Sequence, residues 1–494
     1  MNPGTLRGTL SVTLVLFVVL GGLMPASAED PASIRLVAAS SEIVAFKYAK
    51  RAWVDPGTYV AAVGGAFDLR VTRPSYDQPV DLVQIDPETD QVIRDLPEDV
   101  LDGWFGLDDF LSLRIRNKEG EQVFFRKKTF CPNDGQHERV NDLGPQVPQY
   151  PLWCTAHPFM KGMVWGIDEG WAVGTLGWDR FIPVKVPVGK YILTVSIKEP
   201  YRELFAIAAA DASRVMELTV KKGDPQGEGG FFPRRGTGEG GEPLSGVPED
   251  TSPDPATLPD LVALPAWSMT VYRQGERELL GFAAMEWNAG PQPLVVEGFR
   301  QPDQDVMDAF QYFYENGEPV SRAPAGTMKF HTKKGHQHWH FRQFTEYTLL
   351  DKDKAQVVTS TKRSWCLAPT DAVDLTVPGA DWQPGHVGLT TACGSPSALW
   401  VRETLPVGWG DTYFQFVAGQ AFDITGLQGG TYYVKVQVNP LGRLYETDLT
   451  NNVMLRKIKL RGGPAHRTVV VPPWKGIDTE EYGYGGFGFG SAGD

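Results

Sequence analysis

The chain has 494 residues, of which 42% are hydrophobic and 22% are charged. That length suggests two or three domains, and the apolar content excludes a wholly disordered protein. The net charge of −13 argues against nucleic acid as the main partner, because phosphate binding requires a basic surface. An acidic surface attracts cationic substrates, although it more often serves only solubility.

The N-terminus predicts export from the cytoplasm. Arg7 precedes an apolar stretch from Leu10 to Met24, and Ala26-Ser27-Ala28 has the small residues of a cleavage site. These features indicate a secretory signal peptide at residues 1–28 rather than a retained membrane anchor. We therefore expect a secreted, extracellular protein with no membrane span after cleavage.

Strand patterns lie on both sides of a segment rich in Gly, Pro and Glu. Tyr191–Ile197 and Tyr432–Val438 are β-rich and largely alternating, which is typical of half-buried strands. The fold class is therefore mainly β, with two β-sandwich-like domains and few helices. The predicted organisation is a signal peptide (1–28), an N-terminal β domain (29–222), a flexible linker (223–257), a C-terminal β domain (258–462) and a Gly- and aromatic-rich disordered tail (463–494).

The two halves are similar in sequence. Lys127–Cys131 matches Lys362–Cys366 at an offset of 235, and Gly189–Tyr191 matches Gly430–Tyr432 at an offset of 241. The simplest interpretation is a degenerate duplication, and chance similarity between two β domains is the alternative. In an oxidising compartment the four cysteines are expected to form disulfides, with three pairings possible from their number alone. A duplication favours one disulfide in each half: Cys131–Cys154 and Cys366–Cys393.

A histidine cluster predicts a metal site in the second half. His336, His338 and His340 alternate, so on a strand they project from one face. Imidazole suits copper, zinc, iron and nickel, and a solvated His-rich edge is the alternative. His331 and His386 are interpreted as ordinary surface histidines. The first half is expected to lack this site, because the matching positions are Leu101, Gly103 and Phe105.

An ordered set of motifs resembles the catalytic domain of the lysyl oxidase family over about residues 258–460. Besides the histidine cluster, the set comprises Leu258–Val262, Lys362 with Cys366-Leu367, Trp409–Tyr413, Phe422–Thr425, Val438–Pro440 and Glu446–Asn452. Each motif alone is weak, but together they occur in the family's order.

The resemblance implies a copper-dependent amine oxidase. It implies copper ligation by His336, His338 and His340, and a lysine tyrosylquinone cofactor made by cross-linking Lys362 to Tyr413. Such an enzyme deaminates primary amines, either peptidyl lysine or small amines, to aldehydes, using O₂ and releasing ammonia and hydrogen peroxide. Asp411 is the candidate catalytic base, and a buried structural acid is the alternative interpretation. The first half has Lys127 but no partner for it, so it is expected to be non-catalytic.

The resemblance also implies calcium as a further ion. Its expected ligands are Asp260, Leu261, Glu446, Asp448, Asn451 and Asn452. Hard oxygen donors of this kind suit calcium, whereas a plain Asp/Asn-rich hairpin turn is the alternative interpretation.

The chain departs from the animal enzymes in three ways. Lys333 and Gly335 stand where those enzymes have a histidine and a cysteine, and this half has a single pair of cysteines where their catalytic domains have more. These changes affect the surroundings of the copper ligands rather than the ligands themselves.

Two other functions compete with the oxidase. One is a non-catalytic extracellular protein that binds copper or a surface polymer and retains only the histidines. The other is a zinc hydrolase, which would need a carboxylate base beside the metal. Lys362, Asp411 and Tyr413 in family order favour the oxidase. The sequence selects neither the amine nor an oligomeric state.

Overall fold

Alternating burial along short segments shows why this sequence forms strands. In Gly430–Val438 every second side chain from Tyr432 onward is buried, so one face of the strand covers a core and the other faces outward. The computed structural model describes residues 31–481 apart from short gaps. The residues that it does not describe are 1–30, 49, 142, 153, 155–156, 178–180, 223–242, 301–303, 332–337, 385–392, 394–397, 416–418, 465 and 482–494.

The N-terminal half forms fifteen strands among its described residues, with few helical turns. The strands are β1 Ser33–Ala38, β2 Glu42–Tyr48, β3 Arg51–Val54, β4 Thr58–Val63, β5 Phe67–Thr72, β6 Asp81–Asp86, β7 Gln91–Leu96, β8 Leu107–Arg116, β9 Gln122–Phe130, β10 His137–Arg139, β11 Gly162–Ile167, β12 Trp171–Gly174, β13 Ile182–Val184, β14 Gly189–Ile197 and β15 Ser213–Lys222. The helical segments are a 3₁₀ turn, Glu98–Val100, and α1, Glu199–Leu204.

The C-terminal half adds seventeen strands among its described residues. They are β16 Leu261–Ala263, β17 Trp267–Gln274, β18 Arg277–Asn288, β19 Leu294–Phe299, β20 Val306–Glu315, β21 Glu318–Phe330, β22 Trp339–Arg342, β23 Thr345–Leu350, β24 Gln356–Thr359, β25 Ser364–Trp365, β26 Asp371–Ala372, β27 Trp400–Leu405, β28 Trp409–Tyr413, β29 Ala421–Asp423, β30 Gly430–Val438, β31 Val453–Arg461 and β32 Thr468–Val470. A 3₁₀ turn, Pro255–Thr257, precedes them. The prediction of a mainly β fold is confirmed.

The strands of each half pair into three sheets in the described residues. In the N-terminal half the orders are β1-β4-β12-β10, β11-β5-β6-β7 and β13-β3-β2-β15-β14-β8-β9. In the C-terminal half they are β16-β18-β28-β26, β25-β22-β21-β20-β19-β27 and β24-β23-β30-β31-β32, with β17 and β29 also paired to β18. No helix in the described part of the chain is long and apolar enough to cross a membrane.

Strand order supports the duplication. The run β9-β8-β14-β15 in the first half has the same order as β24-β23-β30-β31 in the second. An irregularity in pairing at Ile115/Arg116 recurs 234 residues later at Leu349/Leu350. The matched tyrosines make the same local bond, since the Tyr191 hydroxyl donates to Pro187 O (2.9 Å) and that of Tyr432 to Gln428 O (2.8 Å). Both expected disulfides are present.

The halves are in contact, and the described residues from Ala32 onward belong to one compact unit. The hydrophobic core of the first half includes Ala372, Leu375 and Trp409 from the second. The Tyr150 and Trp382 rings also stack at 5.7 Å between centroids. Division into two domains therefore stays a prediction, because the halves share buried apolar surface.

The described ends of the predicted linker and tail make ordered contacts. Within the linker, Asp250 N donates to Arg322 O (2.8 Å). Within the tail, β32 pairs with β31, and a carboxylate oxygen of Glu480 accepts from Met269 N (2.7 Å). The structure thus differs from the predicted boundary at residue 462. In the described parts of both segments, apolar and acidic residues find partners despite the Gly-rich composition.

Candidate active site

Two neighbouring strands supply the acidic side chains of the site. β18 and β28 are antiparallel, with Glu286 opposite Asp411 and Ala284 opposite Tyr413. Residues directly opposite each other, and residues two apart on a strand, share one face of a sheet. The side chains of Glu286, Asp411 and Tyr413 therefore project from the same face, and both carboxyl groups are buried.

The structure brings Lys362 and Tyr413 together. Lys362 Nζ lies 4.3 Å from the centroid of the Tyr413 ring and 5.5 Å from that of Trp365. The Trp365 ring meets the Tyr413 ring edge-on, with centroids 5.9 Å apart. The Tyr413 hydroxyl donates to Cys366 O (3.2 Å), so the phenol is held in one orientation.

Burial makes the Lys362 amine unusually easy to deprotonate. The residue is 6% exposed, and desolvation lowers the pKa of Lys362 to about 8, against the opposing charges of Asp411, Glu403 and Glu286. Burial also raises the pKa of the Tyr413 phenol well above its usual range. Near neutral pH the site therefore contains a neutral phenol beside a partly neutral amine.

Glu286 and Glu403 are site residues that the sequence did not indicate. The Tyr347 hydroxyl donates to Glu286 (3.2 Å), and Glu403 accepts from Phe341 N (3.1 Å) and Leu367 N (3.0 Å). Burial raises the pKa of Glu286 to about 8 and the pKa of Glu403 well above its usual range. A carboxyl residue within a buried apolar run, as Glu286 is in Leu279–Trp287 of β18, is the signal that would have found Glu286.

Among Lys362, Asp411 and Tyr413, Asp411 is the most deeply buried. It is 2% exposed, and its Oδ2 has no hydrogen-bond partner among the described residues. Burial, with the charge of Glu286 as a second cause, raises the pKa of Asp411 well above its usual range. A buried acid with a raised pKa can accept a proton from a neighbouring group and return it.

Two of the three predicted copper ligands are described, and their rings are adjacent. The His338 and His340 ring centroids are 4.6 Å apart, and His340 is 2% exposed. His336 lies outside the described residues, as does His386. His331 is not an ordinary surface residue, because it is half-buried and stacks on His340 at 5.1 Å. Within the described ranges no group of three or more His, Cys, Asp or Glu side chains is arranged to hold a metal ion.

The histidine strand lies beside the lysine and the tyrosine. β22, which carries His340, pairs with β25, so that Phe341 is opposite Trp365. Trp365 in turn contacts both Lys362 and Tyr413. Glu403 holds the two strand regions together through its bonds to Phe341 N and Leu367 N.

Several of the residues expected to bind calcium are joined by hydrogen bonds. Glu446 accepts from Leu261 N (3.1 Å) and Asn452 Nδ2 (2.7 Å), and Asp260 accepts from Asn451 Nδ2 (2.9 Å). Burial raises the pKa of Glu446 to about 7. Burial, with the nearby charge of Asp448, also raises the pKa of Asp260. The side-chain oxygens of Asn451 and Asn452 are buried without a hydrogen-bond partner in the described part of the chain.

Comparisons with known proteins agree with this geometry. The lysyl oxidase family model matches residues 310–470. Lysyl oxidase homolog 4 of Mus musculus is 30% identical over 150 residues, which are 30% of this chain and 18% of that protein. Protein-lysine 6-oxidase of Homo sapiens is 29% identical over 215 residues, which are 42% of this chain and 47% of that protein.

Residues 310–470 match the lysyl oxidase family and are called the lysyl oxidase segment below. The lysyl oxidase segment contains the histidine cluster, Lys362, Asp411, Tyr413 and Glu446–Asn452. Glu286 and Asp260 lie before it, as does the whole N-terminal half. The chain spans less than half the length of each of these two relatives.

Proposed function

We propose that the chain is a secreted copper-dependent amine oxidase that converts primary amines to aldehydes, with release of ammonia and hydrogen peroxide. The observation that carries this proposal is the buried contact between Lys362 Nζ and the Tyr413 ring at 4.3 Å. Burial of a lysine ammonium desolvates its charge at a considerable cost, which favours a chemical role over a purely structural one. A lysine and a tyrosine that are to be joined covalently need this arrangement.

The residues present fit the two implied cofactors. His338 and His340 offer adjacent imidazoles, and His336 would complete the set of nitrogen ligands that copper accepts. Copper there would supply the redox chemistry with O₂ that turns a tyrosine ring into a quinone, and lysine tyrosylquinone would supply the electrophile that accepts a primary amine. Lys362 and Tyr413 would be its two parent side chains.

The chain's own side chains handle protons and exclude water. With a pKa of about 8, Lys362 has a substantial neutral fraction, and only the neutral amine carries a lone pair for bond formation. Asp411 is the proposed base for the proton on the carbon that bears the substrate nitrogen. Glu286, opposite Asp411 on the same face, would share that proton, because two buried carboxyl groups so close disfavour a double negative charge. Trp365 closes one side of the site.

Secretion and the calcium ion are parts of the same proposal. The two disulfides fit an oxidising compartment, which supports export by the predicted signal peptide. Calcium would bind between Asp260, Leu261, Glu446, Asp448, Asn451 and Asn452. The side-chain oxygens of Asn451 and Asn452 are buried there without a hydrogen-bond partner among the described residues. The substrate would be a primary amine or a lysine-containing protein, with O₂ as the second substrate.

Peptide mapping tests the proposal. The secreted protein would be expressed with copper, reduced and alkylated so that Cys366–Cys393 no longer links peptides, and digested with trypsin. A cross-link makes one species of the Lys362 and Tyr413 peptides and blocks cleavage after Lys362. This species should stain for a redox-active quinone and should be absent from Tyr413→Phe, whereas Tyr347→Phe, which removes a nearby buried hydroxyl, should retain it.

The alternative is a non-catalytic extracellular protein that binds copper or a surface polymer. It predicts copper binding with two separate, unstained peptides in the wild type. That outcome would refute the oxidase and leave the histidines as a binding site.

A further inference from the structure

A short segment of the N-terminal half, His157–Gly162, lies against the strand next to the site. We call it the docking segment. The imidazole of His157 donates through Nε2 to Ala372 O (2.8 Å), and its Nδ1 accepts from Phe159 N (3.2 Å). Lys161 N donates to Val373 O (2.7 Å), and Gly162 O accepts from Leu375 N (2.8 Å). Three backbone positions of the second half, in Ala372, Val373 and Leu375, are therefore bonded to this segment.

The residues of the second half that the docking segment holds include the end of β26, which borders β28. β26 pairs with β28, with Asp371 opposite Gly410 and Ala372 opposite Trp409. Immediately before β26, Thr370 Oγ1 accepts from Thr412 N (2.7 Å), in the middle of the strand that carries Asp411 and Tyr413. Hydrogen bonds therefore run without interruption from the first half to the site strand.

Phe159 supports the opposite face of the same sheet. It is fully buried in a cluster with Met285, Trp287 and Val373, and its ring meets that of Trp267 edge-on at 5.2 Å. Met285 and Trp287 flank Glu286 on β18, so their side chains point to the face away from the site. Phe159 thus fills the space behind the strands whose other face carries the carboxyl groups.

The first half holds the docking segment firmly. Arg73, which is buried, donates through Nη2 to Pro158 O (2.9 Å) and Met160 O (2.6 Å), and Arg73 N donates to Lys161 O (2.7 Å). The Tyr76 hydroxyl donates to Phe159 O (3.1 Å). Bonds to several consecutive carbonyls of a loop leave it little freedom, so its position is set by the first half.

We infer that the docking segment positions β28, so that the non-catalytic half acts as an internal scaffold that sets the placement of Tyr413 against Lys362. The expected effect on cross-link formation rests on the proposed function, whereas the positioning of β28 does not. Its residues are positioning residues, since none touches Lys362 or Tyr413 and all act through β26 and β18. Placement matters because a displacement of 1 Å at a reacting centre costs about 100-fold in rate.

Phe159→Ala tests the inference, with Phe205→Ala as the matched control. Phe205 is as buried as Phe159, but its ring packs against Phe67 at 5.0 Å and Tyr201 at 6.3 Å, which both belong to the first half. Phe159→Ala should speed hydrogen exchange of the Trp409–Tyr413 amides and slow cross-link formation per folded molecule, by up to about 100-fold. Phe205→Ala should leave both unchanged once the data are normalised to folded protein.

Gly162→Ala gives a second test that removes no core side chain. A Cβ at Gly162 would collide with the side chains of Asp374 and Thr376, which follow β26, and would push that segment away from the docking segment. At Gly189 a Cβ would meet nothing closer than 3.6 Å, so Gly189→Ala is the control. Faster exchange in Trp409–Tyr413 for Gly162→Ala alone supports the scaffold role.

The two hypotheses fail in different ways. Unchanged exchange of the Trp409–Tyr413 amides in both Phe159→Ala and Gly162→Ala overturns the scaffold role, whatever the wild type does with copper. A wild type that forms no cross-link overturns the proposed function, and the hydrogen-exchange comparison then still decides the scaffold role.

Discussion

The pKa of Lys362 predicts how fast its cross-link to Tyr413 forms at each pH. Burial lowers this pKa from the ordinary 10.5 to about 8. At pH 7 roughly one amine in ten is then neutral, against roughly one in 3,000 for an unperturbed lysine, a ratio of about 300. Because only the neutral amine attacks the ring, the rate should rise about fivefold from pH 7 to pH 8 and level off above about pH 9.

The measurement uses copper-free protein mixed with saturating copper and O₂, with quinone absorbance followed from pH 7 to pH 10. Starting at pH 7 keeps the histidine ligands largely neutral, so that copper binding itself changes little over the range. Lys362→Arg is the control, because a guanidinium stays charged throughout and should give no signal. A rate that keeps rising about tenfold per unit to pH 10, as an exposed lysine predicts, would refute the argument from burial.

Two further predictions concern acidic side chains. Glu286 has a folded pKa of about 8, above its unfolded value, so its contribution to stability is full at acidic pH and is lost as pH rises toward 8. The free energy of unfolding of wild type relative to Glu286→Gln should thus fall by about 1.4 kcal/mol per pH unit between pH 5 and 8 in urea titrations, and a constant difference would contradict it. Calcium at about 100 times its Kd should stabilise the wild type by about 2.7 kcal/mol. Magnesium should not stabilise the wild type, and calcium should not stabilise Asp448→Ala. If calcium shifts the melting temperatures of the wild type and Asp448→Ala equally, the proposed calcium site is excluded.

Patterns visible in the sequence were enough to predict the strands and the disulfides. Alternation in Tyr432–Val438 reports directly which face is buried, and the structure agrees. The pairing of Cys366 with Cys393 follows from the duplication, and the structure has it. Alternation and similarity between the halves can be seen in the sequence without knowledge of the fold.

The remaining site residues depend on contacts that no spacing encodes. Glu286 becomes part of the site because β18 pairs with β28 more than 120 residues later, which places it opposite Asp411. The docking segment is equally remote, since His157 meets Ala372 across a separation of 215 residues. A single Glu or His in the sequence gives no sign of its partner until the register of the sheets is known.

The two similar halves show why sequence similarity alone does not preserve chemistry. Lys127 and Lys362 occupy matching positions, but Lys127 is 47% exposed and forms an ion pair with Asp109, which raises the pKa of Lys127. Lys362 forms no ion pair with any described residue, and burial lowers the pKa of Lys362 instead. The same residue is thus a fixed charge in one half and a potential nucleophile in the other. The difference arises from β18 and β28, which enclose Lys362 in the second half, and these are the strands that the first half supports through Phe159 and β26.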